Sequence, residues 1–222
     1  MLISHWFSGN QYCLLDLSQS LSVNIKLLLS ITGFSLLIIE SLLIIINLML
    51  TPPHYMGVVS YYYLIVPGIL AYIFILLAYS GFKGYGILVV SMILLIISDL
   101  LTVSFFPPRS AFLFNLSFYL STGADIVYVA GWLLFLIFCV VSGALKYFLP
   151  SGVLFFIRAA LVIFVTALTT VLIFKGEGVL YYIYQEVYAE RIITIIASAL
   201  MIIGTIRYMK TETDRNKSKK KV

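Results

Sequence analysis

Three carboxylic acids, Glu40, Asp99 and Asp125, stand inside stretches that otherwise read as membrane-spanning hydrocarbon. Asp99 is the clearest case, because it lies within SMILLIISDLLTVSFFPP, residues 91–108. An isolated ionised carboxylate near the centre of a bilayer costs at least about 2.5–3.5 kcal/mol. We therefore expect such a group to be protonated, paired or in contact with a water-filled cavity. The chemistry open to it is the binding of a proton, a cation or an amine.

Polar residues recur along these apolar stretches at helical spacing. A helix turns 100° per residue, so positions seven apart lie nearly on one line. Ser91, Ser98 and Thr102 fall within about 40° of each other, with Asp99 beside them. The other polar stripes are Lys26, Gly33, Glu40 and Asn47 in the first apolar stretch, Asp125, Tyr128, Trp132 and Cys139 in the fourth, and Thr194, Ser198 and Thr205 in the sixth. We expect each helix to turn its stripe away from lipid, so that the stripes meet inside a bundle.

Two interpretations of the acids remain open. In the functional one, Glu40, Asp99 and Asp125 lie between mid-membrane and the outer boundary and form an acidic pocket, with Ser98 and Thr102 beside Asp99. In the structural one, Asp99 is a neutral acid that donates a hydrogen bond to a Ser or Thr neighbour, as packing glue between helices. For Asp125 the position near the interface favours a role at a helix N-terminus, where a carboxylate interacts well with the helix dipole.

The sequence predicts Arg158 as the only intramembrane cation, since Lys26, Arg191 and Arg207 lie at the ends of their predicted spans. It lies early in the fifth span, near the predicted cytoplasmic side. We therefore expect its long side chain to snorkel to the interface as an anchor, and not to reach Asp99.

The other chemistry-bearing residues argue against most enzyme classes. Cys13 and Cys139 form no CxxC, and His5 and His54 fall on opposite sides of the predicted topology, so we expect no metal, haem or other cofactor. The sequence has no Ser/His/Asp set, paired-Asp prenyl-transfer motif, GxGD or HExxH. GFKGYG (81–86) follows no strand, which favours a tight turn over a phosphate loop. General-base chemistry would have to rest on carboxylates alone.

Composition decides the fold class. The 222 residues are 62% hydrophobic and 10% charged, whereas a soluble domain is about 25% charged. Several apolar runs exceed the roughly 18 residues of a transmembrane helix candidate. The sequence therefore predicts an all-α, polytopic transmembrane helix bundle in the cell membrane, whose first partner is the lipid bilayer.

Segments that contain proline and glycine divide the chain into about six predicted spans, near 25–50, 60–80, 87–106, 124–143, 153–174 and 190–209. The predicted breaks are TPPHYMG (51–57), GFKGYG, PPRS (107–110), LPSG (149–152) and KGEG (175–178). Residues 1–24 form an N-terminal interfacial segment without a cleavable signal, 25–209 the transmembrane domain and 210–222 a basic tail. The apolar segments 110–123 and 178–190 remain open as interfacial or re-entrant pieces or as a helix extension, and a seventh span is possible.

Charge sets the predicted orientation. Through Ile206 the chain has seven Lys+Arg and seven Asp+Glu, so the net +5 lies in the last 16 residues. With six spans both termini share a side with Lys26, Lys83 and Lys146, which predicts cytoplasmic termini. The charges predicted on the outer side are Arg109, Lys175 and Arg191, partly offset by Glu177, Glu186 and Glu190. The tail residues expected to touch anionic lipid are Lys217, Lys219, Lys220 and Lys221. Nucleic-acid binding is not expected.

SDLLTVSFF followed by ADIVYVAGWLLFLIF shows an Asp that ends one span and an Asp-x-x-Tyr-x-x-Gly-aromatic pattern that opens the next. Over residues 87–143 this resembles the multi-helix membrane sensor regions found upstream of kinase or cyclase domains in prokaryotic signalling proteins. The chain ends about a dozen residues after its last predicted span, without an output domain. The resemblance thus implies a stand-alone sensor or accessory subunit that passes its signal to a partner chain.

Three functions follow as hypotheses. The first is a non-enzymatic, sensor-like or accessory membrane subunit that acts through a protein partner or as a homo-oligomer. The second is a small cation- or proton-coupled transporter or channel that uses Glu40 and Asp99. The third is a lipid-active membrane enzyme with carboxylate chemistry.

Overall fold

The computed structural model describes residues 23–50, 59–104, 111–174 and 180–219. These residues form helices, with described turns at 79–84 and 142–144 and no strand among them, which confirms the all-α prediction. In chain order the helices are α1 (Val23–Leu50), α2 (Val59–Ala78), α3 (Tyr85–Ser104), α4 (Ala111–Val141), α5 (Leu145–Phe174) and α6 (Leu180–Lys219).

The helices form a closed ring in which each packs on its chain neighbours and α6 returns to α1. Hydrogen bonds join neighbouring helices at two sides of the ring. Ser91 Oγ donates to the Gly131 carbonyl between α3 and α4, and Ser151 Oγ donates to that of Ala197 between α5 and α6. Such bonds join helices where lipid supplies no hydrophobic drive. The N-terminus of α1 and the C-terminus of α6 lie at one end, here called the lower end.

Two glycine turns lie at the lower end. The α2–α3 turn places Gly81 (φ 86°) and Gly84 (φ 80°) in the left-handed region, which favours glycine. GFKGYG is therefore a tight turn, as predicted. Between α4 and α5, Gly143 (φ 78°) turns the chain, and Ser142 Oγ accepts a hydrogen bond from the Ala144 N–H.

The predicted break at LPSG (149–152) was wrong. The chain turns at residues 142–144, and α5 begins at Leu145 with Pro150 inside its second turn. A proline this early removes a single backbone hydrogen bond, the one to the Lys146 carbonyl, and does not stop the helix. The other predicted breaks, 51–57, 107–110 and 175–178, lie outside the described residues.

Four helical segments in the described ranges are long and apolar enough to cross a membrane, namely Asn24–Asn47, Thr122–Val141, Leu145–Leu168 and Val187–Glu212. Two shorter apolar helices, Val66–Ala78 and Tyr85–Leu101, lie between the first and second of these. Residues 111–123 and 180–190 belong to the continuous helices α4 and α6. Their position relative to a membrane stays a prediction.

The interior of the bundle is aromatic, and the polar stripes face it. Trp132 stacks on Phe155 with ring centroids 4.2 Å apart, and Phe135 meets both rings edge-on. These side chains are fully buried, whereas apolar residues such as Leu28 and Phe164 point outward. Among the stripe residues that the structure describes, the buried ones are Gly33, Ser91, Ser98, Tyr128, Trp132, Cys139, Thr194, Ser198 and Thr205. The prediction that the stripes meet inside the bundle is confirmed for them.

Candidate functional site: a charged cluster inside the bundle

Glu40 of α1 and Asp99 of α3 meet at a glycine of α2. Glu40 Oε2 lies 2.9 Å and Asp99 Oδ2 lies 3.5 Å from the position that a Cβ atom of Gly68 would occupy. A Cβ atom at position 68 would crowd Glu40 Oε2, whereas it would lie in ordinary contact with Asp99 Oδ2. Glycine therefore allows two carboxylates from different helices to approach the same point of the α2 backbone.

Pro67 precedes this glycine inside α2. Proline has no N–H, so the carbonyl of Tyr63, four residues earlier, lacks its usual partner within the helix. Prolines of this kind are tolerated in membrane helices where neighbouring groups satisfy the freed backbone. The local break that the sequence shows at Pro67–Gly68 thus lies beside the two carboxylates.

Arg158 of α5 and Glu190 of α6 form a tight ion pair. The Arg158 Nη2 and Nε atoms lie 2.6 Å and 2.8 Å from Glu190 Oε1, and the two side chains are 5% and 11% exposed. The Tyr128 hydroxyl donates to the same oxygen at 3.4 Å. The guanidinium carbon lies 5.2 Å from the centre of the Tyr128 ring and 5.9 Å from that of Trp132, in the geometry of a cation–π contact.

The prediction that Arg158 snorkels to the interface was therefore wrong. Because α5 begins at Leu145 and not near residue 153, Arg158 lies 13 residues into the helix. That corresponds to about 20 Å at 1.5 Å per residue. Its side chain points into the bundle and pairs with an acid that the sequence placed at the outer boundary.

Arg191 of α6 is a second interior cation. Its Nη1 atom lies 3.4 Å from Glu40 Oε1, and its side chain is 16% exposed. Its Nε atom is buried and has no hydrogen-bond partner among the described residues. Sequence reasoning treated Arg191 as a charge of the outer loop, because it placed the start of the sixth helix at residue 190 instead of 180. A helix that begins at Leu180 carries Arg191 three turns inward.

The charged cluster is defined here as Glu40, Asp99, Arg158, Glu190 and Arg191. It contains three carboxylates and two guanidiniums, which leaves one carboxylate in excess. Within the part of the chain that the structure describes, Asp99 forms no ion pair, whereas both other acids do. Its charge interacts over a longer range with all four other members. Two phenols, Tyr72 and Tyr128, also feel the charge of Asp99.

The other predicted site residues have separate positions. Asp125 is not at a helix N-terminus, because α4 begins at Ala111, and its Oδ2 accepts a hydrogen bond of 3.0 Å from Thr166 of α5. Ser98 Oγ donates to the Ala124 carbonyl at 2.9 Å. The side chain of Thr102 lies outside the described residues, as do those of Lys217, Lys219, Lys220 and Lys221. The structure thus brings Glu40 and Asp99 together and places Asp125 on the α4–α5 contact.

Aromatic side chains fill the bundle between the charged cluster and the lower end. Along α4 and α5, Trp132 and Phe155 come directly below Tyr128 and Arg158. The set, called the aromatic floor below, consists of Phe34, Trp132, Phe135, Phe138, Phe148 and Phe155, all fully buried. The charged cluster is therefore separated from the lower end by packed rings.

Among the lower rings of the aromatic floor, beside Phe138 and Phe148, lies a second polar group, which the sequence analysis missed. The Tyr79 hydroxyl lies 2.6 Å from Thr205 Oγ1 and 2.9 Å from Ser30 Oγ, and Ser30 Oγ donates to Thr205 Oγ1 at 3.3 Å. These three residues, the hydroxyl cluster, join α1, the end of α2 and α6. Thr205 was part of a predicted stripe, but no pattern in the sequence singled out Tyr79.

No protein-family model matches the sequence, and no curated protein or solved structure matches it. The resemblance of residues 87–143 to sensor regions stays a prediction. Among the described residues, no three His, Cys, Asp or Glu side chains are grouped closely enough to hold a metal ion. The chemistry that the charged cluster offers is that of its excess carboxylate, which can take up a proton or a small cationic group.

Proposed function

We propose that the chain is a multi-pass protein of the cell membrane with six spans, both termini in the cytoplasm and the lower end facing that side. The alternation of six antiparallel helices supports this arrangement. So does the distribution of cations, since Lys26, Lys83 and Lys146 lie at the lower end with Arg207 and Lys210 of α6. Because Arg191 points into the bundle, it does not count as a loop charge on the opposite side.

Within this topology we propose a sensor-like or accessory subunit that binds its stimulus at the charged cluster and acts through a partner protein. The observation that carries this proposal is the excess carboxylate of Asp99, set beside Glu40 at Gly68 and above the aromatic floor. An acid inside a membrane bundle is a functional site by default, because leaving it there without a counter-charge is unfavourable. The floor favours binding from the upper side over passage through the bundle.

A partner would be engaged through the lower end. Helix α6 supplies Glu190 and Arg191 to the charged cluster and continues to Lys219. At the lower end Tyr208 packs on the Phe82 ring, and the Thr211 hydroxyl lies 3.2 Å from that of Tyr147. One continuous helix thus connects the charged cluster with the end at which the basic tail begins.

The experiment is purification in a mild detergent through a C-terminal tag, with native mass and identification of co-purifying chains. We expect a stoichiometric partner whose bound amount or activity changes in Asp99→Asn. Asp125→Asn is the matched control, because this carboxylate lies at the α4–α5 contact with Thr166 and outside the charged cluster. A chain that purifies alone, or a partner indifferent to Asp99→Asn, contradicts the proposal.

Cation- or proton-coupled transport is the second candidate. It is favoured by the Pro67–Gly68 break, since helices interrupted at a buried ion site are typical of transporters. Flux of protons or of sodium into liposomes that contain the purified chain tests it. Flux that Asp99→Asn abolishes and Asp125→Asn leaves intact would favour transport over the subunit.

A further inference from the structure

The charge balance of the cluster indicates what its stimulus is. With all five residues ionised, the cluster has three negative and two positive charges, and no cation among the described residues pairs with the excess carboxylate. A single proton on one carboxylate makes the net charge of the cluster zero, and it needs no cavity. Two carboxylates that share a site tend not to ionise together, which gives the same result.

The position of that proton follows from the contacts. Glu190 accepts from Arg158 at 2.6 Å and from Tyr128, so its charge is already compensated. The remaining acids are Glu40 and Asp99, whose oxygens both lie within 3.5 Å of the missing Cβ atom of Gly68. Of these two, only Glu40 touches a guanidinium among the described residues.

A metal ion fits this point less well than a proton. Calcium takes six to eight oxygen ligands and magnesium an octahedron, whereas the described side chains bring two carboxylates to Gly68. Arg158 and Arg191 are also close enough to repel a metal ion bound at this point. A proton adds no ligand requirement.

We propose that Glu40 and Asp99 form a proton-binding pair across Gly68 and that Arg191 reports its protonation state. With the proton bound, Asp99 is a neutral acid and Arg191 stays with Glu40. When the proton leaves to water, Asp99 becomes a carboxylate and competes with Glu40 for Arg191.

Arg191 is the cation suited to change partner. Its contact with Glu40 is 3.4 Å long and uses Nη1 alone, and its Nε is unpartnered among the described residues. Arg158, in contrast, holds Glu190 with two nitrogens at 2.6 Å and 2.8 Å. A shift of Arg191 toward Asp99 acts on α6, the helix that continues to the basic tail.

The groups that face Asp99 come from all five other helices, and each bears on its titration. They are Glu40 on α1, Tyr72 on α2, Tyr128 on α4, Arg158 on α5, and Glu190 and Arg191 on α6. The two arginines favour the ionised form of Asp99, and the two other carboxylates favour the protonated form. Asp99 therefore experiences opposing electrostatic effects from its neighbours, so that neither protonation state is favoured by all of them.

The test is infrared spectroscopy of the purified chain in lipid nanodiscs over a pH series, following the carbonyl stretch of protonated carboxyl groups. We expect a titrating band that Asp99→Asn removes and Asp125→Asn leaves in place. A wild-type chain without a titrating carboxyl band overturns the proposal, and so does a band that Asp125→Asn removes. If Asp99→Asn does not fold, the wild-type and Asp125→Asn spectra still decide, since both must show the band.

A glycine pair tests the geometry. An added methyl group at Gly68 would lie 2.9 Å from Glu40 Oε2, whereas at Gly123 it would meet none of the described residues within 4 Å. We expect Gly68→Ala to displace the titration midpoint and Gly123→Ala to leave it unchanged. Equal midpoints in the two variants contradict a proton site at Gly68.

The fluorescence of Trp132 reports the neighbourhood of the charged cluster, because its ring lies 5.9 Å from the Arg158 guanidinium. In a Trp6→Phe background it is the only tryptophan. We expect its emission to follow the same pH midpoint at any sodium concentration, and a response to sodium at constant pH would overturn the proton assignment.

The regulatory meaning of the proton rests on the proposed function, but the titration needs no partner. A chain that titrates without a partner therefore refutes the subunit alone, and one that binds a partner without titrating refutes this inference alone.

Discussion

The charged cluster and the hydroxyl cluster share helices α1 and α6 but have opposite purposes. The charged cluster also draws on α3 and α5, and the hydroxyl cluster on the end of α2. In the hydroxyl cluster, Ser30, Tyr79 and Thr205 are neutral, lie within 3.3 Å of one another and are surrounded by aromatic rings. In the charged cluster, the carboxylates outnumber the cations by one, and the Arg191 guanidinium is held by a single long contact.

The difference teaches that polarity inside an apolar bundle does not by itself indicate a site. A neutral group whose hydrogen bonds are complete fixes the register of three helices and offers nothing to a ligand. A group with an uncompensated charge is unfavourable until something binds. The predictions below separate these two roles, beginning with the largest expected effect.

Removal of Arg158 should destabilise the chain most. Arg158→Leu leaves Glu190 buried without its partner, and breaking a buried ion pair costs about 3–5 kcal/mol. The loss of stability is measured by heating the chain in detergent and determining the folded fraction by size-exclusion chromatography. The control is Arg158→Leu with Glu190→Leu, which removes both charges and should recover most of the stability. If the double variant is no more stable than the single one, the ion pair does not explain the effect.

Alanine substitutions at Gly204 and Gly68 compare a neighbour that is backbone with a neighbour that is the end of a side chain. A methyl group at Gly204 would overlap the backbone carbonyl of Tyr147, whereas at Gly68 it would meet the end of the Glu40 side chain. We expect Gly204→Ala to lower the free energy of unfolding by about 1–3 kcal/mol. Gly68→Ala should lower it less, because a carboxylate moves more easily than backbone.

Gly123→Ala is the control for both glycine variants, because no atom in the described part of the chain lies within 4 Å of its added methyl group. It should be neutral or stabilising by up to about 1 kcal/mol, the difference in helix propensity. The reverse order for Gly68 and Gly204 would show that the charged region is the more rigid one.

Loss of the Tyr79 hydroxyl should have a moderate effect. Tyr79→Phe keeps the ring contacts and removes the centre of the hydroxyl cluster, which we expect to cost about 1 kcal/mol. Tyr85→Phe is the control, since the Tyr85 hydroxyl has no hydrogen-bond partner among the described residues. Thermal unfolding of both variants gives the comparison, and equal midpoints would mean that the hydroxyl cluster does not stabilise the bundle.

Asp99→Asn should change stability least. Asn has the same shape, and Asp99 forms no ion pair among the described residues that could be lost. We expect its thermal midpoint to equal or exceed that of the wild type, while the pH response disappears. A loss of stability greater than that of Tyr79→Phe would make Asp99 a structural residue and remove the contrast between the two regions.

Much of the architecture was predictable from local pattern. Apolar runs and helical spacing predicted helices whose polar stripes face inward, because both properties depend on residues close together in the chain. The errors came from helix ends. Reading LPSG (149–152) as a break placed Arg158 near an interface, and starting the last helix at residue 190 placed Arg191 in a loop.

The sequence by itself determined that Glu40 and Asp99 lie on inward faces of apolar helices, since composition and a 100° turn per residue suffice for that. Only the tertiary structure decided that they meet at Gly68, that Arg158 pairs with Glu190 and that Arg191 remains loosely held. The order of helices around the ring and their relative heights depend on the packing of side chains far apart in the chain. A difference of one turn, about 5.4 Å, is enough to exchange one partner for another.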